Sequence, residues 1–459
     1  MHIKKKKIIM NAGIGLSGDS KGKDEYASHS FNLFADNDLE NGIQTVSSIV
    51  IRPVNTYNSK GPIIFEAAPD PVKFTDAESF RLHGRMKITK HDGTALTTQK
   101  VGPVNNIFHS LWSKVTVKIN DVEIGDSTSS WYAYKAYLEN HLSYSKSAKE
   151  KILSYKGYLS DTAEQFDDVG SETAGTYTAS TNTGLVNRIK MFEESKWVYF
   201  CININSDITT LRKYLPPNTK FEIQYERMAD EFCLLSHDAA TKFAIVLDDM
   251  RMSFKRYTPS RSVSEYINNE MRRGQIPTLP IDQSLIKQYI VGTGSTDLSH
   301  FNLIRGDQLP EQIIIGVVEQ SAYNGNIKMN PFNFQHFNIR EASLIVNGVN
   351  EPTELYKLDT TSGDKADMFA NFIENTGVSV DDREFGISLE DYYGGSFLLA
   401  WDRTPDKCNR FHRHAMDSGS IDINIKLGSA LNKPVSVIVY ATYSSDIKIN
   451  NQKVEIKKF

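Results

Sequence analysis

An internal echo limits the folds open to this chain more than any other feature. The stretch NIFHSLWSKVTVKINDVEIGD, residues 106–126, is answered by FQHFNIREASLIVNGVNEP, residues 334–352. In both, a strand-like run ends on a dipeptide that tolerates positive φ, Asn120-Asp121 in one and Asn347-Gly348 in the other, 227 residues apart. Such a dipeptide between strand-like runs predicts a tight β-hairpin. Upstream, Pro103-Val104-Asn105-Asn106 and His109 are matched by Pro331-Phe332-Asn333-Phe334 and His336. Downstream, Leu138-Glu139-Asn140 in one presumed helix is matched by Ile373-Glu374-Asn375 in another, at a separation of 235. The shared order points to duplication, and the drift of eight residues fits a difference in loop length.

Both halves carry β texture. Phe80, Leu82, Gly84, Met86 and Ile88 alternate with Arg81, His83, Arg85, Lys87 and Thr89, and Ile421, Ile423, Ile425 and Leu427 alternate with Asp422, Asn424 and Lys426. Period-two patterning of this kind describes strands with one wet face. Trp131, Tyr134, Leu138 and Leu142 recur at helical spacing, so the first half makes a helical excursion, followed by an exposed turn at Lys149, Glu150 and Lys151. Residues 160–184 and 351–385 read as long surface loops. The expected organisation is a flexible arm at 1–40, a first jelly roll at 41–240, a linker with the start of the second domain at 241–300, and the rest of the second jelly roll at 301–459. At 459 residues the chain is long enough for two such all-β sandwiches.

Composition narrows the function classes. A formal net charge of -4 gives no overall field for a phosphate backbone. The exception is the run Lys4, Lys5, Lys6 and Lys7, which reads as a solvated tail, or as an internal basic arm against packaged DNA if many copies line a shell. Cys201, Cys233 and Cys408 are too few and too scattered for a disulfide scaffold. No N-x-[ST] acceptor occurs, and the apolar run after the lysines is too short for a signal peptide or an anchor. No membrane span is expected, because no segment reaches 18 apolar residues.

Catalytic chemistry is sparse. Gly13, Gly15 and Gly18 suggest a nucleotide loop, but Gly22-Lys23 is followed by Asp24 instead of Ser or Thr. Asp406, Cys408, His412 and His414 form the densest set of ligand-type residues; Cys408, His412 and His414 are weak zinc candidates without an obvious fourth ligand. Surface histidines on an arginine-rich loop are the plainer reading. The acid pairs Asp167-Asp168, Asp248-Asp249 and Asp381-Asp382 have no His or Lys spaced to make a general acid/base set, and read as solvated loops or subunit contacts. No Gly-x-Ser-x-Gly elbow is present. The expectation is a non-enzyme without cofactor. Tyr392, Tyr393, Arg403, Arg410 and Arg413 are candidate assembly contacts, since aromatic and guanidinium groups anchor interfaces. Trp112 and Trp401 are assigned to the core.

The segments VNNIFHSLWSKVTVKINDVEI, WYAYKAYLENHLSYSKSAKEKILSYKGY, PPNTKFEIQYERMADEFCLL and NRFHRHAMDSGSIDINIKLGSALNKPVSVIVYATYSSDIKIN resemble double jelly-roll major capsid proteins of adenovirus-like and Polinton or adintovirus-like elements, with relatives among invertebrate genomes. The resemblance runs from about residue 45 to the C-terminus. It implies two tandem upright eight-stranded jelly rolls with short helical insertions. Three chains would then form a pseudo-hexagonal homotrimer in an icosahedral shell around double-stranded DNA. It also implies neighbouring capsomers, penton and minor capsid proteins as partners, and a virion location after assembly in host cytoplasm or nucleus. The chain is shorter than adenovirus-type members and has room for modest outer loops. Alternatives are a single-roll vertex or minor capsid component, and a carbohydrate- or receptor-binding β-sandwich module.

Overall fold

Alternation and turn chemistry are both realised in the computed structural model, which describes residues 41–55, 61–125, 131–173, 176–357, 365–377, 384–405, 414, 417–450 and 453–456. The principal strands of the first half are β1 (Ile43–Ile51), β2 (Ile63–Ala67), β3 (Phe74–Lys90), β4 (Trp112–Ile119), β5 (Val122–Ile124), β6 (Val198–Asn203), β7 (Phe221–Arg227) and β8 (Phe243–Pro259). They form two sheets ordered β1-β8-β3-β6 and β2-β7-β4-β5. In the second half β9 (Thr278–Val291), β10 (His300–Gly306), β11 (Gln312–Glu319), β12 (Ile339–Val346), β13 (Val349–Lys357), β14 (Leu398–Asp402), β15 (Gly419–Leu427) and β16 (Val435–Asn450) form sheets ordered β9-β16-β11-β14 and β10-β15-β12-β13. The second pair of orders is the first with eight added to every strand number. Each half therefore contains an eight-stranded antiparallel jelly roll with the same winding, and in the second half Lys453–Ile456 adds a short further strand beside β16.

The residues explain the layers. On β3, Phe80, Leu82, Met86 and Ile88 are at most 1% exposed, and on β15, Ile421, Ile423 and Ile425 are at most 2% exposed. Their polar alternates are exposed or half-buried, except Thr89, which is 2% exposed. The β4–β5 turn has φ of 47° at Asn120 and 66° at Asp121; the β12–β13 turn has 50° at Asn347 and 83° at Gly348. Positive φ at both central residues is what a two-residue hairpin matched to strand twist requires, and Asn, Asp and Gly tolerate it best.

The main helices are α1 (Tyr132–Ser143), α2 (Thr183–Phe192), α3 (Arg261–Arg272) and α4 (Ala366–Asn375). α1 and α4 occupy the same slot, between the fifth and sixth strands of their rolls, so the second half of the sequence echo also marks equivalent places. Residues 241–300 contain β8, which hydrogen-bonds to β1 and β3 of the first roll, then α3, then β9, which pairs along its length with β16 of the second. The chain thus crosses between rolls through α3.

Three local expectations are corrected. Residues 351–385 are not one surface loop: β13 runs on to Lys357, and α4 buries Met368 and Phe372. Residues 160–184 are not simply a surface loop: Phe166, Val169, Ser180 and Asn182 are buried, and the segment ends in the start of α2. Lys149 is not on an exposed turn; its side chain is 3% exposed and its ammonium donates to the carbonyl of Phe385. Its buried aliphatic stem is covered by the insertion between β13 and β14. Among the described residues no helix is long and apolar enough to cross a membrane.

Candidate assembly site: the seam between the rolls

The site that distinguishes this chain from two separate sandwiches is the joint between them. α1 follows β5 and carries Tyr134 and Tyr137, which are 0% and 1% exposed. Against them lies the segment before β12, with Phe332 and Phe334 both at 0%. Tyr137 stacks on Phe332 with ring centroids 4.2 Å apart and planes 3° from parallel, and Tyr134 meets the same ring edge-on at 5.5 Å. The Tyr134 hydroxyl donates to the Pro331 carbonyl at 3.1 Å, and Trp131 packs on Tyr323 at 4.7 Å. Ring pairs add roughly 0.5–1.5 kcal/mol each beyond area burial, so the cluster holds the rolls firmly in one register.

Two polar sets flank the rings. Asp161 and Arg188 pair with side-chain exposures of 0% and 1%. Arg188 Nε also donates to the Pro103 carbonyl at 2.7 Å, and Asn182 Nδ2 donates to Asp161 at 2.8 Å. From the second roll Asn330 Nδ2 donates to Asp161 at 3.1 Å. Asp167 accepts from the Asn330 N–H and from Asn333 Nδ2, each at 2.6 Å, while burial pushes its pKa above the ordinary value. A buried charge left without partners is costly, so these bonds make one relative placement of the segments much better than its neighbours.

The second set joins α1 to β9 and β16. Lys135 pairs with Asp207 and lies 3.7 Å from Glu139. Ser284 donates its hydroxyl to Asp207 at 2.7 Å and its N–H at 3.2 Å. Tyr440 donates to Glu139 at 3.1 Å, and Asn205 Nδ2 donates to it at 3.2 Å. Burial holds the Glu139 carboxyl above its ordinary pKa, with Lys135 opposing.

The residues singled out in the sequence are distributed unevenly. Tyr392 is corrected from assembly contact to core: it is 0% exposed, donates to the Leu398 carbonyl at 2.7 Å, and packs on Phe372 and Phe397 of its own chain. Tyr393 is half-buried beside it. Arg403 is committed within the chain, to Glu351 at 3.0 Å and the Pro310 carbonyl at 3.0 Å. His414 is half-buried, and Cys408, His412, Arg410, Arg413 and Lys4, Lys5, Lys6 and Lys7 lie outside the described residues. Among the described residues no group of three His, Cys, Asp or Glu side chains is placed to hold a metal ion. Trp112 and Trp401 are core, at 0% and 3%. Of the acid pairs, Asp167 serves the seam, Asp168 caps its own loop at Thr181, Asp248 pairs with Arg85 on the outer face, and Asp381-Asp382 lies outside the described residues. The polar seam carries no local sequence signal, since Asp161, Arg188 and Asn330 are brought together from distant segments.

No known protein-family profile matches this chain. The uncharacterized protein F54H12.2 of Caenorhabditis elegans is 21% identical over 344 residues, covering 73% of this chain and 78% of that protein. Among solved structures, a chain of the Sputnik virophage superposes with a TM-score of 0.59 at 11% identity, covering 96% of this chain and 94% of its own. The Faustovirus major capsid protein superposes with a TM-score of 0.56 at 9% identity over 90% and 92% of the two chains. PBCV-1 VP54 gives 0.52 at 9% identity over 93% and 99%. Matching winding in both halves and superposition over nine-tenths of each chain lead to one conclusion: this chain has the double jelly-roll fold of viral major capsid proteins.

Proposed function

We propose that this chain is a major capsid protein whose homotrimers are pseudo-hexagonal capsomers of an icosahedral shell around double-stranded DNA. The observation that carries this reading is the rigid union of two identically wound rolls in one chain. A rolled pair offers a neighbour nearly the same outline twice, so three copies present six rolls around one axis. Closed symmetry ends the capsomer at three chains, and weaker lateral contacts then tile capsomers into a shell. In this reading residues 1–40 are an arm with Lys4, Lys5, Lys6 and Lys7 facing packaged DNA, and 241–300 passes from the first roll to the second. Penton and minor capsid proteins would complete the shell in the virion.

The test is solution mass with negative-stain microscopy of the purified chain. Hexagon-shaped particles of three times 51.8 kDa are expected. Pentamers would instead indicate a vertex component, and a persistent monomer with an aromatic sugar groove would indicate a binding module.

A further inference from the structure

The pair of Lys135 with Asp207 is largely shielded from water, with side-chain exposures of 14% and 5%. In the other ion pairs that lysines make among the described residues, apart from the contact of Lys135 itself with Glu139, the lysine is 32–59% exposed. The pair also has close polar company. Lys135 Nζ donates to Asp207 Oδ1, and Glu139 Oε1 stands 3.7 Å from the same nitrogen. Ser284 donates to both oxygens of Asp207, its hydroxyl to Oδ1 at 2.7 Å and its N–H to Oδ2 at 3.2 Å. Tyr440 and Asn205 hold Glu139 in place at 3.1 Å and 3.2 Å.

One ammonium needs one carboxylate, yet here two carboxyls share it. Burial raises the pKa of Glu139, so Glu139 is the acid that keeps a proton, and the three groups are then neutral as a set. Burial disfavours the Lys135 ammonium, the two carboxylates outweigh burial, and its pKa ends above the ordinary value. The free amine is therefore a minor form, reached when the ammonium hands its proton to Asp207 inside the cluster. A site of low dielectric makes that transfer easier than water does, because it removes a pair of buried charges. The pair of Asp161 with Arg188 is as deeply buried but has no such route, since a guanidinium does not give up its proton.

An amine held against a carboxylic acid, with donors on the oxygens of that acid and a second carboxyl beside the nitrogen, is set up for amide formation. We propose that Lys135 and Asp207 condense into an intramolecular isopeptide bond, with Glu139 as the proton carrier. Lys135 Nζ attacks Asp207 Cγ, the C–N bond forms and one C–O bond breaks. Counted from the ion pair, the ammonium loses two protons and the carboxylate one oxygen, and these leave together as water. No oxidant, reductant or cofactor enters. The Ser284 N–H steadies the oxygen that stays as the amide carbonyl, and Glu139 passes a proton from nitrogen to the departing oxygen and ends as it began. The step happens once per chain, on the chain itself. It ties α1, which carries Tyr134 and Tyr137 of the seam, to the β6–β7 connection, and closes a covalent ring from residue 135 to residue 207. The bond lies within one chain and does not depend on the capsomer reading.

Mass spectrometry of the full-length protein, folded at neutral pH and then denatured, tests this without any variant. The intact chain should weigh one water less than its sequence, and a digest should contain one branched peptide joining Lys135 to Asp207. Lys135→Arg keeps the positive charge beside Asp207 but cannot form the amide, so it should show the full sequence mass. Glu139→Gln keeps both reacting groups and should form the link at least about 100-fold more slowly when followed from synthesis. A wild-type chain that retains the full mass overturns the inference, whatever its oligomeric state. So does a water lost without the branched peptide, as from a cyclic imide at Asp92-Gly93. Link formation in Glu139→Gln at the wild-type rate overturns the role given to Glu139. The capsomer reading fails separately, on a chain that stays monomeric with the link in place.

Discussion

His109 shows how one residue of the echo acquires a physical role. It is 1% exposed, its Nδ1 is 3.0 Å from the Tyr132 hydroxyl, and burial, with Lys156 adding repulsion, pulls its pKa down to about 3. A folded pKa below the unfolded value near 6.5 gives stability that is complete above that value and is lost as pH falls toward 3. His141, also buried and shifted down, acts in the same sense, whereas Glu139, shifted up, acts in the opposite one. Near pH 4.5 the His109 contribution lost is about 2–3 kcal/mol, since two pKa units lie between that pH and the unfolded value. Denaturant melts of wild type and His109→Gln at pH 7.5 and 4.5 check it: the variant should lose less stability on acidification. Equal losses would show that His109 is not the group titrating. Sequence marked His109 as repeated but not as buried, because burial is set by α1 folding over it.

Strands and their cover explain two glycines that pattern alone passes over. Gly84 on β3 and Gly316 on β11, the third strands of their rolls, each lie under an aromatic ring. An added Cβ at Gly84 would sit 2.5 Å from Met250 Sδ and 2.8 Å from Phe200, and one at Gly316 would overlap Phe334. Phe334 belongs to the echo segment and also to the seam, so its place fixes what β11 can carry. Gly316→Ala is therefore expected to cost about 1–3 kcal/mol by overpacking, read as a lowered denaturation midpoint with unchanged slope. An unchanged midpoint would mean that Phe334 can move aside. Strand identity, the two tight hairpins and the helical insertions were legible because each depends on neighbours in sequence. The polar staples of 160–184 and the burial of Lys149 and Tyr392 were not, because each depends on a partner far along the chain.

At the scale of the whole molecule, the seam makes two rolls behave as one body. Phe332 belongs to the second roll but lies among Tyr134, Tyr137 and Phe232 of the first. Truncating a buried Phe costs about 3–5 kcal/mol, here charged to the joint. The wild type should melt in one calorimetric transition, and Phe332→Ala in two. A single sharp transition in the variant would show that the flanking polar sets suffice to couple the rolls.

By itself the sequence determined that the chain makes β sandwiches twice over, because alternation and turn dipeptides are local and their repetition is countable. Only the tertiary structure decided how strands are ordered in each sheet and which rings and charges lock one roll to the other. Those outcomes rest on contacts between residues from 27 positions apart, as Asp161 and Arg188 are, to 301, as Glu139 and Tyr440 are, where burial and hydrogen-bond satisfaction are settled jointly and no local pattern records them.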